Sequence, residues 1–280
     1  MAACSNYNGD FDEQAHRGGR GLMPENTIIS EKKAIDYGCT LEMDLQMSKD
    51  HKIIVSHDPY FNSLYSLTPE GDPMTIEDAK SRLLYDMPYD SIKKYDVGSK
   101  PHPKFPEQKN IPATRPLLSM LIDSVEAYAE RKEHVNHYNI EIKSSPEGDG
   151  KYYPSLEEYV NTAMNIIVSK GIAERTIIQS FDERALRMVH RKWPDIPISY
   201  LVKALHIDDV AGYIQTLGFM PDIFSPNYRL VTAQRVKAFH KHEIKVIPWT
   251  PNSLELMQKL KNMGVDGLIT DYPNLFAQLK

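Results

Sequence analysis

The sequence predicts an α/β fold, a closed (β/α)8 barrel with an irregular insertion after the hairpin of its second strand. Three observations point there. Short β-branched runs alternate with helical stretches along most of the chain, which means parallel strands joined by crossovers. Eight such units fit a closed barrel better than an open doubly wound sheet. No Gly-x-Gly-x-x-Gly opens a helix after the first strand, which argues against a dinucleotide fold.

Glu13–His16 reads as the first strand, closed by Arg17-Gly18-Gly19-Arg20-Gly21. The spacing predicts a helix starting at Pro24-Glu25-Asn26-Thr27 and running to about Tyr37. Pro and Glu favour a first turn, and Gly38 ends it. The second strand begins at Leu41. Glu42 and Asp44 alternate with Met43 and Leu45, so both carboxylates face one side. Lys49-Asp50-His51-Lys52 reads as a turn, and Ile53–His57 as the return arm of a hairpin. A two-residue loop centred on Asp50-His51 would set His57 opposite Asp44.

From Pro59 to Pro116 the periodicity fails, apart from a short helical piece near Thr75–Leu84. Residues 59–116 are too long for a simple connection and read as an insertion that covers something. Phe61, Tyr65, Tyr85 and Tyr89 would serve either as an aromatic lid or as the insertion's own small core. Regular alternation then resumes. Helices are predicted over 117–132, 156–170, 183–192, 208–217, 232–242, 253–263 and 275–279, and strands over 138–143, 176–180, 198–202, 223–225, 246–249 and 267–270. Residues 1–12 read as a polar tether, and 13–280 as one domain.

Composition narrows the functional class. The 280 residues are 41% hydrophobic and 25% charged, with a net charge of −5, ordinary values for a globular chain. No basic cluster is interleaved with aromatics, so nucleic acid is an unsupported partner. No run approaches the length of a membrane-spanning helix. The two cysteines, Cys4 and Cys39, make neither a disulfide framework nor a Cys-x-x-Cys metal site. Ala2-Ala3-Cys4-Ser5 resembles the tail of a bacterial lipoprotein signal. That reading expects a lipid anchor at Cys4 and a periplasmic or envelope location, or a cytoplasmic one if this start is native.

A barrel places its chemistry at the C-terminal ends of the strands. Those ends carry His16-Arg17, Glu42 with Asp44, Glu141 with Lys143, Gln179-Ser180, Ser225, Trp249 and Asp271. Glu141 and Lys143 share one face of their strand, as catalytic groups or as a structural ion pair. Glu42, Asp44 and Glu141 are three carboxylates able to converge on one hard cation, and oxygen-only ligation favours Mg²⁺, Ca²⁺ or Mn²⁺ over zinc. Arg17 and Lys143 would meet an anion, and His16 and His57 titrate near neutrality. Metal, cations and two imidazoles suit transfer at a phosphodiester. Trp249 reads as a wall for the substrate.

At these residues the chain resembles the glycerophosphodiester phosphodiesterases. The match runs in order through His16-Arg17-Gly18, Pro24-Glu25-Asn26-Thr27, Glu42-x-Asp44, Lys49-Asp50, His57-Asp58, Glu141-x-Lys143, Gln179-Ser180-Phe181, Trp249-Thr250 and Asp266–Pro273. The resemblance implies a (β/α)8 barrel, a divalent ion held by Glu42, Asp44 and Glu141, and His16 with His57 as the acid–base pair. It assigns Arg17 and Lys143 to the phosphate. It also implies hydrolysis of a small-molecule glycerophosphodiester to glycerol phosphate and an alcohol. The family typically has glycine where this chain has His51. Two other functions compete. One is a related lipid-acting phospholipase of the sphingomyelinase-D or phosphoinositide type. The other is a silent phosphodiester-binding barrel, which the full set of histidines and carboxylates disfavours. A metal-dependent sugar isomerase would have no need of paired histidines.

Overall fold

The computed structural model describes residues 11–204 and 210–280. Residues 1–10 of the expected tether, Cys4 with its expected lipid anchor among them, and the first two residues of the helix expected at 208–217 lie outside them, while Asp12, expected in the tether, belongs to the first strand. The strands are β1 (Asp12–Ala15), β2 (Thr40–Met47), β3 (Ile53–Val55), β4 (Tyr138–Ile142), β5 (Thr176–Ser180), β6 (Ile198–Val202), β7 (Ile223–Pro226), β8 (Lys245–Val246) and β9 (Gly267–Thr270). The α-helices are α1 (Ile28–Asp36), α2 (Ile76–Ser81), α3 (Tyr89–Ile92), α4 (Leu118–Glu130), α5 (Leu156–Ser169), α6 (Glu183–Lys192), α7 (Val210–Leu217), α8 (Ala233–His240) and α9 (Leu254–Asn262). The last expected helix is a 3-10 turn over Pro273–Gln278.

Eight strands pair in parallel in the order β8-β7-β6-β5-β4-β2-β1-β9. The seam between β8 and β9 is bridged by Trp249, which pairs with Asn227 on one side and Ile269 on the other. The result is a nearly closed barrel. β3 lies outside it, antiparallel to β2. Met43 and Leu45 of β2 and Ile140 and Ile142 of β4 pack against the surrounding helices. Strand periodicity therefore turns Glu42, Asp44, Glu141 and Lys143 inward.

Two local expectations need correction. The helix does not begin at Pro24: Asn26 has φ 55°, a conformation asparagine tolerates better than most residues. α1 starts after Thr27, whose hydroxyl accepts from the Ser30 amide while Ser30 Oγ accepts from the Thr27 amide. The hairpin register also differs by one residue. Leu45 pairs with Val55 and Met47 with Ile53, which sets Ser56, not His57, opposite Asp44. The loop is three residues long and ends on His51 at φ 57°, the left-handed position that three-residue hairpin loops use.

The insertion builds its own small core rather than an aromatic lid. Phe61, Met74, Leu84, Tyr89, Ile92 and Tyr95 pack on Ile54 of β3, and Phe61 stacks on Tyr95 at 3.9 Å. Tyr85 packs instead on the main core, and Tyr65 also lies apart. Its hydroxyl reaches Glu25 Oε1 at 3.3 Å, beside the barrel mouth.

Candidate active site

A cavity of about 160 Å³ is lined by the C-terminal ends of the barrel strands and the loops that follow them. His16, Arg17, Glu42, His57, Glu141, Lys143 and Trp249 all line it. Asp44, 1% exposed, lies just behind them. The structure thus brings every site residue expected from the sequence to one place. His57 arrives there despite the shifted register, because the chain leaves the sheet after Val55.

The carboxylates are held by a dense set of partners. Glu42 accepts from Gln179 Nε2 at 2.7 Å and from the Arg17 amide at 2.7 Å. Asn26 clamps Asp44, donating from Nδ2 at 2.8 Å and accepting from the Asp44 amide at 3.1 Å. Arg17 bridges Glu25 at 2.9 Å and Asp44 at 3.1 Å. Lys143 Nζ lies 2.9 Å from Glu141 and 3.5 Å from Asp44. Oxygens of Glu42, Asp44 and Glu141 lie within 4.8 Å of one another, and all three residues are buried.

Such crowding has electrostatic consequences. Burial, with Asp44 beside it, raises Glu42 well above the usual carboxylate range. Burial pushes Glu141 up to about 7, with Asp44 adding to the rise against the pull of Lys143. Burial would raise Asp44 as well, but Lys143 and Arg17 outweigh it and hold Asp44 low. A divalent cation fits this donor set. All the donors are oxygens, their mutual repulsion is what a cation would relieve, and buried Asp44 Oδ1 has no hydrogen bond closer than the Lys143 ammonium at 3.5 Å.

Each histidine is oriented by its own carboxylate. His16 Nδ1 lies 2.5 Å from Asp271 Oδ1, and His57 Nδ1 lies 2.8 Å from Asp58 Oδ1. Both carboxylates sit below their ordinary range, because His16 and Arg20 beside Asp271, and His57 and Asn62 beside Asp58, outweigh burial. An ionised carboxylate only accepts, so each Nδ1 carries the proton and Nε2 is left with its lone pair. Burial lowers His16 to about 4 despite Asp271, with Arg17 and Arg20 also lowering it. Burial lowers His57 too, followed by Arg17 and Lys143.

Several supporting residues were visible in the motifs without a role attached. Asp271 and Gln179 stand at strand ends, and Glu25 and Asn26 lie in the Pro24–Thr27 motif. Asn252, which donates to Asp271 Oδ2 at 2.6 Å, carries no sequence signal. Trp249 has two roles: it lines the cavity and packs on Ile177, Ile223, Ile247 and Ile269, while its Nε1 donates to Ser225 O at 3.0 Å.

Comparison with known proteins agrees with this site. The model of the glycerophosphoryl diester phosphodiesterase family matches residues 16–275. The chain belongs to this family. It is an enzyme of the phosphoric diester hydrolase class. A glycerophosphodiester phosphodiesterase from Caldanaerobacter subterraneus subsp. tengcongensis is 30% identical over 266 residues, 95% of this chain and 96% of the relative. One from Bacillus subtilis is 29% identical over 95% of this chain and 85% of its own. The fold superposes on a candidate member from Silicibacter pomeroyi with a TM-score of 0.86 at 25% identity, covering 99% of this chain and 94% of the other. An Oleispira antarctica phosphodiesterase solved with the product sn-glycerol-3-phosphate gives 0.74 at 23% identity, with 97% of each chain covered.

Proposed function

We propose that the chain hydrolyses glycerophosphodiesters to glycerol 3-phosphate and an alcohol, with His16 and His57 as the acid–base pair. One observation carries the reading. Two histidines, each held at Nδ1 by its own carboxylate, line the same cavity as a trio of converging carboxylates. Arg17 and Lys143 meet the phosphate. Glu42, Asp44 and Glu141 hold one divalent cation, Mg²⁺ or Ca²⁺ with Mn²⁺ as a third option, whose chemistry there is charge neutralisation at phosphoryl oxygens.

In the first step one imidazole Nε2 takes the proton of the glycerol 2-hydroxyl as its oxygen bonds to phosphorus. The other histidine, which enters the step as an imidazolium with a proton on Nε2 as well as on Nδ1, delivers the Nε2 proton to the departing alcohol oxygen as that oxygen's bond to phosphorus breaks. The roles then reverse: water adds to the cyclic phosphate and the 2-hydroxyl is regenerated. A lipid-acting enzyme is less well supported. Among the described residues the exposed large apolar side chains are Ile76, Met120, Val135, Val168 and Met220, no two of them on one element, and a membrane surface needs a contiguous patch.

The test is glycerol phosphate release from glycerophosphocholine, -ethanolamine, -inositol and -glycerol by chelator-stripped protein, with Mg²⁺, Ca²⁺ or Mn²⁺ added back. Turnover should return with metal and fall at least about a hundredfold in His16→Ala and His57→Ala. No turnover with any metal would sink the reading.

A further inference from the structure

Four cations line the cavity, and three are neutralised where they stand. Arg17 lies 2.9 Å from Glu25, Lys143 lies 2.9 Å from Glu141, and Arg20 lies 2.8 Å from Asp271. Lys203, just after β6, is different. Among the described residues it has no carboxylate within ion-pair distance, and it is exposed. Its Nζ sits over the ring of Phe181, 4.4 Å from the centroid. Phe181 in turn meets Trp249 edge-on, with centroids 5.6 Å apart and planes at 90°. Lys203, Phe181 and Trp249 all line the cavity, Lys203 just after β6, Phe181 just after β5, which neighbours the Glu141 strand β4, and Trp249 beyond β8.

An aromatic pair at a cavity wall is the feature a quaternary ammonium group would use. Here the face of Phe181 is already taken by a lysine ammonium. A second cation entering would lose that face and meet a like charge that, among the described residues, has no carboxylate paired with it. A hydroxylated, uncharged group suffers neither penalty and can accept hydrogen bonds from Nζ.

We propose that Lys203 is a specificity-determining residue that selects against glycerophosphodiesters with a cationic alcohol and in favour of those with an uncharged polyol. The proposal rests on the phosphodiesterase reading above. The measurement is the ratio of kcat/KM for glycerophosphoglycerol to that for glycerophosphocholine in the metal-loaded enzyme. The wild-type ratio should exceed that of Lys203→Met by roughly three- to tenfold, the scale of a partly screened charge pair. Lys203→Arg should keep the wild-type ratio. Added salt should shrink the ratio in the wild type and leave it nearly constant in Lys203→Met, a response that a packing role for the side chain would not produce. An equal, salt-insensitive ratio in wild type and Lys203→Met would overturn the proposal. Failure of the wild type to turn over either ester is a different result, because it removes the phosphodiesterase reading itself.

Discussion

Asp271 shows how a residue outside the proposed acid–base pair would govern it. Its Oδ1 holds His16 Nδ1 and Arg20 Nε, and its Oδ2 accepts from Asn252. Asp271→Asn leaves the geometry nearly intact but lets the amide donate, which favours the wrong imidazole tautomer. We expect kcat to fall by roughly a hundredfold to ten-thousandfold with little change in KM; steady-state kinetics on a glycerophosphodiester would check it. Glu31 is the opposite case. It is fully buried on α1, neither carboxyl oxygen has a hydrogen-bond partner, and burial with Glu42 and Asp44 nearby raises it well above the usual range. Burial disfavours its charged form, and neither carboxyl oxygen gains a partner in exchange. Glu31→Met should therefore stabilise the protein by about 1–2 kcal/mol in a urea titration.

At the scale of elements, Asp50 ties the hairpin loop to the insertion. Its Oδ1 accepts from Ser48 Oγ at 2.7 Å and from the Tyr89 amide at the start of α3 at 2.9 Å, and Lys52 pairs with Oδ2 at 2.9 Å. Burial would raise this carboxyl slightly, but those partners hold it at about 2. A depressed carboxylate contributes stability that is fully present above its unfolded pKa of about 3.8 and lost as pH falls towards 2. Asp50→Asn should flatten the fall in stability between pH 4 and 2 seen by acid titration, relative to wild type. The group is partly exposed, so solvent screening keeps the difference near or below about 1 kcal/mol.

For the molecule as a whole, the barrel gathers three buried carboxylates at one end, a group that could hold a cation. Ligand binding to the native state alone stabilises it by about 2.7 kcal/mol at a hundredfold excess over Kd. Adding Mg²⁺ or Ca²⁺ to chelator-stripped protein should raise Tm by several degrees, and Glu42→Gln or Asp44→Asn should abolish most of that rise. A scan with no cation response in the wild type would count against the carboxylate trio as a metal site.

Much of this was legible before the fold. Strand alternation placed Glu42 and Asp44 on one face, and repeated β/α units implied the barrel that gathers strand ends. Thr75 and Ser253 cap α2 and α9, close to the boundaries that local propensity predicts. Two boundaries escaped because tertiary contacts outweighed local preference: Asn26 leaves the helix to clamp Asp44, and the His51 turn lengthens the loop by one residue. The partners of the two cavity histidines also escaped. Asp271 lies 255 residues from the His16 it orients, and Lys203 meets Phe181 only because neighbouring strands carry both. Sequence alone determined the residue types, their periodicity and hence the side of the sheet each one faces. Which carboxylate holds which histidine, which cation goes unpaired among the described residues, and how closely three acids crowd were decided by the closed sheet, because those distances exist only once remote strands share one barrel mouth.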